Sequence, residues 1–528
     1  MANGYRGYAS EEWCDLQRMV SYRARIDPDK TAIKEPGGKT VSYAELDALV
    51  DALARGLAAR GLEKGDVVIS ALPDWHEAVA VFLAAAKMGL VLVPNNAISG
   101  RLEAQERLEM TDAKAVFAAR EDVAGFTMRV RPDCMVIAVR FTMEGCIAFD
   151  EVLDEGMFDP VELDPETQTL VIAFTSGSTG EPKGIELVHR ALFSSARDYG
   201  EAMRISSDDV FAMPMPVCHL FGLNAGIILP LSMGATILLT DNATPEWLLD
   251  LVENERATVL YGVPTMFARA LDVMKVDPRD TSSLRTGLIG GANCPEALVR
   301  DIRDILHCNV VVGYGSTEAG AVTATSMDDS AERVSQTVGR PFDDVDIRVI
   351  DASTGEWLEC GEGELVCTSP CEMKGYFKRP DLTASVMSDG WIHTGDAAVI
   401  GEDGYVRICG RIDDMIIRGG YNIYGSELEH VYAECPDVVE CCVTALPHDV
   451  LGQQTCIAVR LSQAASCTDP LELREFARGR IAKYKIPDHV VIFDELPRTP
   501  SGKVDAKRVK KECMRRVSGC DRIFDTVR

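Results

Sequence analysis

The densest run of phosphate-binding groups in the 528-residue chain is Thr175-Ser176-Gly177-Ser178-Thr179-Gly180-Glu181-Pro182-Lys183-Gly184. Its glycines let the backbone approach a phosphate closely. Its hydroxyls and N–H groups can donate to phosphate oxygens, and Lys183 adds a point charge. The run follows the apolar segment 170–174, which reads as a buried strand. It is not a Walker loop, which needs G-x-x-x-x-G-K-[ST] opening a helix. Pro182 precedes Lys183, Gly184 follows it, and the apolar residues 185–188 continue extended.

Four further groups follow in order: Gly313-Tyr314-Gly315-Ser316-Thr317-Glu318; Trp391-Ile392-His393-Thr394-Gly395-Asp396; Gly410-Arg411-Ile412-Asp413-Asp414 leading into Gly419-Gly420-Tyr421-Asn422-Ile423; and Pro497-Arg498-Thr499-Pro500-Ser501-Gly502-Lys503. Together with the glycine loop they resemble the acyl-adenylate-forming superfamily, which includes acyl-CoA synthetases, peptide-synthetase adenylation domains and firefly luciferase. Within it the chain resembles the fatty-acid or aryl-acid CoA ligases. The resemblance implies an enzyme that uses ATP, Mg²⁺ and CoA. It would join a carboxylate to AMP with release of pyrophosphate, then pass the acyl group to a thiol with release of AMP.

The resemblance also assigns roles. Thr175, Ser176, Gly177, Ser178, Thr179, Gly180 and Lys183 would hold the phosphates. Gly291 and Ala292 would run along adenine, and Tyr314 would stack on it. Thr317 would donate to the α-phosphate, Glu318 would ligate Mg²⁺, and Asp396 with Arg411 would take the ribose hydroxyls. Lys503 would bridge carboxylate and phosphate oxygens as charge builds. It would do so from a mobile domain turning at Asp413, with Gly419 and Gly420 lining the path of CoA. Thr317, Glu318 and Lys503 form the expected catalytic set.

The segment 214–222, PMPVCHLFG, resembles the acyl-pocket segment of the CoA ligases and makes His219 a candidate gate. It lacks the aspartate with which amino-acid-activating relatives hold an ammonium group. Gly315 stands where acetate-activating relatives carry Trp, and Val312 and Gly313 join it as expected lining. An uncharged chain or ring is therefore the expected acid, medium- or long-chain fatty or aromatic. CoA and a carrier protein both stay open as acceptors. The intact Lys183, Glu318, Asp396, Arg411 and Lys503 speak against a silent nucleotide binder. Cys218 and Cys294 lie near these motifs and read as packing.

The elements that must position these residues alternate. Apolar runs at 67–70, 90–94, 170–174, 236–240, 258–261, 286–289 and 309–312 read as strands, with amphipathic helices between them at 43–57, 76–88, 190–203, 245–255, 264–273 and 295–307. Pro opens the last three helices, where its missing N–H costs nothing. Strands of continuous apolar residues between helices indicate mostly parallel sheets covered on both faces. From about Asp343, short β-type runs with turn dipeptides indicate a β-rich subdomain. After residues 410–414 a compact unit follows: helix 426–434, strands 439–445 and 455–461, helix 471–482 and strand 489–493. The expected fold is α/β. A large N-terminal domain (1–410) of layered, mostly parallel sheets plus the β-rich subdomain leads through a hinge (411–414) to a small mobile α+β domain (415–528).

Lys plus Arg number 54 and Asp plus Glu 82, giving a net charge of −28. Such a surface repels nucleic acid and anionic membrane, so small molecules are the expected partners, with a homodimer left open. The 17 cysteines are scattered without CxxC spacing, which suits free thiols in a reducing cytoplasm better than zinc or disulfides. The start has no signal-peptide pattern, and the apolar run 78–94 is broken at Lys87 and Gly89 and too short for a confident span.

Overall fold

The computed structural model describes residues 16–95, 101–176, 182–240, 243–292, 294–412, 414–418, 421–448, 450–462, 465–499 and 504–518. Four sheets organise them. In an eight-stranded sheet, Val67–Ala71, Val91–Pro94, Ala115–Ala118, Met135–Ala138, Ile147–Ala148 and Thr169–Ser176 run parallel, and Pro182–Val188 and Gly375–Tyr376 close one side antiparallel. In a nine-stranded sheet, Thr31–Lys34, Val210–Ala212, Thr236–Leu238, Val259–Gly262, Thr286–Gly290 and Asn309–Ser316 run parallel.

The two sheets share the largest core. Val68, Leu92, Phe117 and Leu170 reach it from the first, and Ile33, Phe211, Tyr261, Leu288 and Val311 from the second. Helix His76–Met88 lies within it with every residue buried. A helix hydrophobic all round belongs in such a core, which accounts for the apolar run 78–94. Gly89, at φ 68, ends the helix and lets the chain turn into Val91–Pro94. No described helix is long and apolar enough to cross a membrane. Helix Tyr43–Ala59 opens with a capping box: Ser42 Oγ accepts from Glu45 N–H at 3.2 Å, and Glu45 Oε2 accepts from Ser42 N–H at 2.7 Å.

A six-stranded sheet, antiparallel throughout, contains Asp346–Ile350, Gly361–Thr368, Trp391–Ile400 and Val406–Arg411. A five-stranded sheet contains Ile416–Arg418, Val438–His448, Gly452–Leu461 and His489–Phe493, with helices Gly425–Ala433 and Ala506–Ser518 packed on Val438–His448. The third sheet's last strand ends at Arg411 and the fourth's first begins at Ile416. The helix expected over 471–482 spans only Pro470–Glu475; Gly479, at φ 78, takes the left-handed turn that a continuing helix would exclude. Helix Ala506–Ser518 was not anticipated, because its pattern follows directly on the Ser/Gly/Lys loop.

Candidate active site

The glycine run joins two antiparallel strands, with Thr175 opposite Lys183 and Ser176 opposite Pro182. The chain thus leaves the loop extended, as the residues after Lys183 demanded. The adjoining strand Gly375–Tyr376 pairs Tyr376 with Ile185. This brings the Tyr376 ring beneath Lys183, whose Nζ lies 5.5 Å from the ring centroid. Tyr376 Oη donates to Glu318 Oε1 at 2.9 Å. Glu318 sits in the turn between Asn309–Ser316 and Gly320–Ala324, where Ser316 Oγ accepts from Ala319 N–H at 3.0 Å.

The same strand end carries Tyr314, whose hydroxyl donates to Asp396 Oδ2 at 2.5 Å. Asp396 faces Arg411 across neighbouring antiparallel strands. Arg411 Nη1 donates to Asp396 Oδ1 at 3.2 Å and to the Thr394 carbonyl at 2.8 Å. Burial raises the Asp396 carboxyl pKa above the ordinary aspartate value, opposed by Tyr314 and Arg411 and reinforced by nearby Glu318. Burial likewise raises the Tyr314 phenol, helped by Asp396, so it stays a donor. Three sheets therefore meet at one charged, partly open place. It offers a lysine and an arginine for anions, two carboxylates, and an aromatic beside the exposed strip Gly291–Ala292.

Residues 20–377 match the family model of the AMP-binding enzymes, and residues 427–503 match that of the AMP-binding enzyme C-terminal domain. The chain belongs to the AMP-binding enzymes. It is similar to the medium-chain fatty-acid–CoA ligase of Escherichia coli (strain K12), 32% identical with 94% of this chain and 90% of that protein covered. It is also similar to a feruloyl-CoA synthase of an Amycolatopsis species, 35% identical over 93% and 97%. ATP-bound MatB from Rhodopseudomonas palustris superposes with a TM-score of 0.86, at 29% identity over 95% of this chain and 99% of that one. Among AMP-binding enzymes the chain is of the AMP-forming acyl-CoA synthetase type.

Of the site residues expected in this AMP-binding enzyme, the structure brings together Lys183, Tyr314, Glu318, Asp396 and Arg411, with Thr175 in the hairpin strand and Thr317 beside Glu318. Ser176 is described only as the last residue of its strand. Gly177, Ser178, Thr179, Gly180, Asp413, Gly419, Gly420 and Lys503 lie outside the described residues. His219 heads the short helix Leu220–Leu223, on a half-buried turn tied to the loop after strand Val67–Ala71 by Val217 N–H donating to Asp74 Oδ1 at 2.9 Å.

The acyl lining differs from expectation. Val312 and Gly313 are successive strand residues and face opposite sides. Val312 packs with Cys294 and Val299 and lines a cavity with Ala292, Val338 and Ile408, away from the Gly313 side. Gly315 does not leave an empty slot. Strand Gly320–Ala324 approaches so closely that a Cβ at Gly315 would collide with the Gly320 carbonyl oxygen. The space over Gly313 is taken by the Tyr199 ring, and that over Gly290 by Phe221, whose ring atom would lie 3.6 Å from a Cβ there. Cys294 is buried, which pushes its thiol up to about 12, so it is no nucleophile at neutral pH.

Sequence reasoning missed Tyr376, Tyr199 and Phe221. Tyr376 stands in Lys374-Gly375-Tyr376-Phe377, where a glycine before an aromatic pair was the available signal. Its partners are 58 and 193 positions away, so only the sheet topology reveals them.

Proposed function

We propose that the chain is an ATP-dependent carboxylic acid:CoA ligase acting on a medium- or long-chain fatty or an aromatic carboxylate. The observation that carries this reading is the run of contacts from Lys183 through Tyr376 to Glu318, and from Tyr314 through Asp396 to Arg411. It gathers five expected site residues from distant elements.

A carboxylate is a poor electrophile because its charge is delocalised. One of its oxygens attacks the α-phosphorus of ATP, pyrophosphate leaves, and a mixed anhydride with AMP results. The CoA thiolate then attacks the acyl carbon, and AMP departs with the bridging oxygen. Both steps demand positioning and charge neutralisation more than covalent help from the protein. Lys183 and the glycine run take the phosphates, Thr317 donates to the α-phosphate, Tyr314 with Gly291 and Ala292 takes adenine, and Asp396 with Arg411 takes the ribose hydroxyls. Glu318 suits a hard cation: Tyr376 anchors Oε1, and no described contact engages its other oxygen. Mg²⁺ held there would offset repulsion between the phosphates.

In this reading residues 1–410 form the adenylation domain and 411–414 the hinge, with Asp413 its pivot. Residues 415–528 form the mobile domain that brings Lys503 to the reacting phosphate, then turns to admit the thiol along Gly419 and Gly420. Similarity to both a medium-chain fatty-acid–CoA ligase and a feruloyl-CoA synthase supports the fatty-or-aromatic range.

The test is AMP and pyrophosphate release from MgATP across acids from acetate through long fatty acids to benzoates and cinnamates, with and without CoA. One acid class should give turnover that is catalytic only when CoA is present. Release that ignores CoA, or no release with any fatty or aromatic acid, would overturn the assignment.

A further inference from the structure

Two buried polar atoms beside the expected acyl pocket have no partner. Tyr261 is 1% exposed and Asn224 is 7% exposed. Among the described residues, neither the Tyr261 hydroxyl nor the Asn224 side-chain carbonyl oxygen has a hydrogen-bond partner. Native proteins pair nearly all such groups, and an orphan calls for a physical reason.

Their surroundings suggest one. Tyr261 lies on the face of the nine-stranded sheet that carries Leu288 and Val311, looking into the shared core. Its ring meets Phe221 edge-on at 5.4 Å between centroids, and Phe221 covers Gly290. The hydroxyl lies against Gly226, where a Cβ would collide with it. Gly226 belongs to the π-helical turn Asn224–Ile228, and such turns recur at functional sites. Val217, Cys218, His219, Leu220 and Phe221 are half-buried, and Gly290, which Phe221 covers, leads directly into the exposed strip Gly291–Ala292. Phe221 thus links Gly290, at the edge of that strip, to Tyr261 and the π-turn. Burial raises the Tyr261 phenol well above its ordinary value, so it is held as an O–H donor.

We propose that Tyr261 is a specificity residue whose hydroxyl, helped by the Asn224 carbonyl oxygen, receives a hydroxyl group on the acid, remote from the reacting carboxylate. A ligand hydroxyl can accept from Tyr261 and donate to Asn224. An apolar chain or unsubstituted ring would leave both orphans unanswered. The proposal rests on the ligase reading and narrows its acid from any uncharged chain or ring to a hydroxylated one. Both a ring hydroxyl and a chain-end hydroxyl have the required chemistry.

The experiment compares kcat/KM for two matched pairs, 4-hydroxycinnamate with cinnamate and an ω-hydroxy medium-chain acid with its parent. It uses the full chain, its Tyr261→Phe variant and its Asn224→Ala variant. In the full chain one hydroxylated acid should be preferred by roughly 10- to 100-fold, the range expected when buried polar groups must otherwise stay unpaired. The preferred pair identifies ring or chain. In Tyr261→Phe that ratio should fall toward one, and in Asn224→Ala it should fall in the same direction. The melting temperature of Tyr261→Phe should not drop, because its hydroxyl makes no structural bond. Turnover without preference, or a preference untouched by Tyr261→Phe, overturns the proposal and leaves the ligase reading standing. No CoA-dependent turnover with any of the four acids or the wider panel overturns the reading and the proposal with it.

Discussion

Asp396 is 14% exposed and holds two hydrogen bonds, one from Tyr314 and one from Arg411. These fix its carboxylate between an aromatic ring and a cation. A fixed anion suits a diol, because it can accept from both hydroxyls without reorganising. Removing a charged hydrogen-bond partner costs about 1.5–3 kcal/mol. Asp396→Asn should therefore raise the KM for ATP by roughly 10- to 150-fold and change kcat less. Burial raises the Asp396 pKa, so in the free enzyme the proton arrives at a higher pH than for an ordinary aspartate. ATP affinity should fall on acidification beginning above the usual aspartate range, and Asp396→Asn should lack that step. An unchanged KM would remove Asp396 from the ribose site. The charged and glycine-bounded residues of this site were legible because their chemistry limits the alternatives: few other residue types could replace Lys183, Glu318 or Asp396. The aromatic residues were not. Tyr376, Tyr199 and Phe221 act through neighbours that tertiary packing alone supplies. Gly315 misled because a missing side chain reads equally as open space or as close backbone approach.

At the scale of elements, helix His76–Met88 shows how a core element tolerates charge. Lys87 is 3% exposed and pairs with Asp51, with Asp47 3.5 Å away. Two aspartates on the neighbouring helix Tyr43–Ala59 thus clamp the helix end next to Gly89. Breaking a buried pair leaves the other charge uncompensated, at a cost of about 3–5 kcal/mol. Urea denaturation of Lys87→Met should show a loss of that size, and Lys87→Met with Asp51→Asn should recover much of it. Equal losses in single and double variants would mean that the pair does not act as a unit. Glu35, His76 and Glu77 form the one group among the described residues with metal-ligand spacing. Arg140 donates to both carboxylates at 2.7–2.9 Å, so each already has a cationic partner within the protein. The elements were legible where periodicity and helix-opening signals agreed, as at Pro245–Glu255, which Pro opens. Helix 471–482 was overextended because its apolar spacing persists past Gly479, whose left-handed φ ends it.

At the scale of the molecule, two mostly parallel sheets share one core and a third, antiparallel sheet brings Asp396 and Arg411 to their edge. The fourth sheet begins five residues after Arg411, at Ile416. The chain is acidic overall, yet Lys183 and Arg411 converge on the place where an anionic nucleotide would sit. This architecture of alternating strands and helices, then short strands, then a compact α/β unit was legible from the order of patterns. The division into two parallel sheets was not, because strand neighbours are set by crossovers that local patterns do not encode. In the proposed reaction the acid is activated as an acyl-adenylate before the thiol attacks. The decisive measurement gives the enzyme its acid labelled with ¹⁸O in both carboxylate oxygens, together with MgATP and CoA, and weighs the products. One ¹⁸O is expected in each AMP, one in each thioester and none in pyrophosphate. AMP without label, or label in a released phosphate, would contradict it.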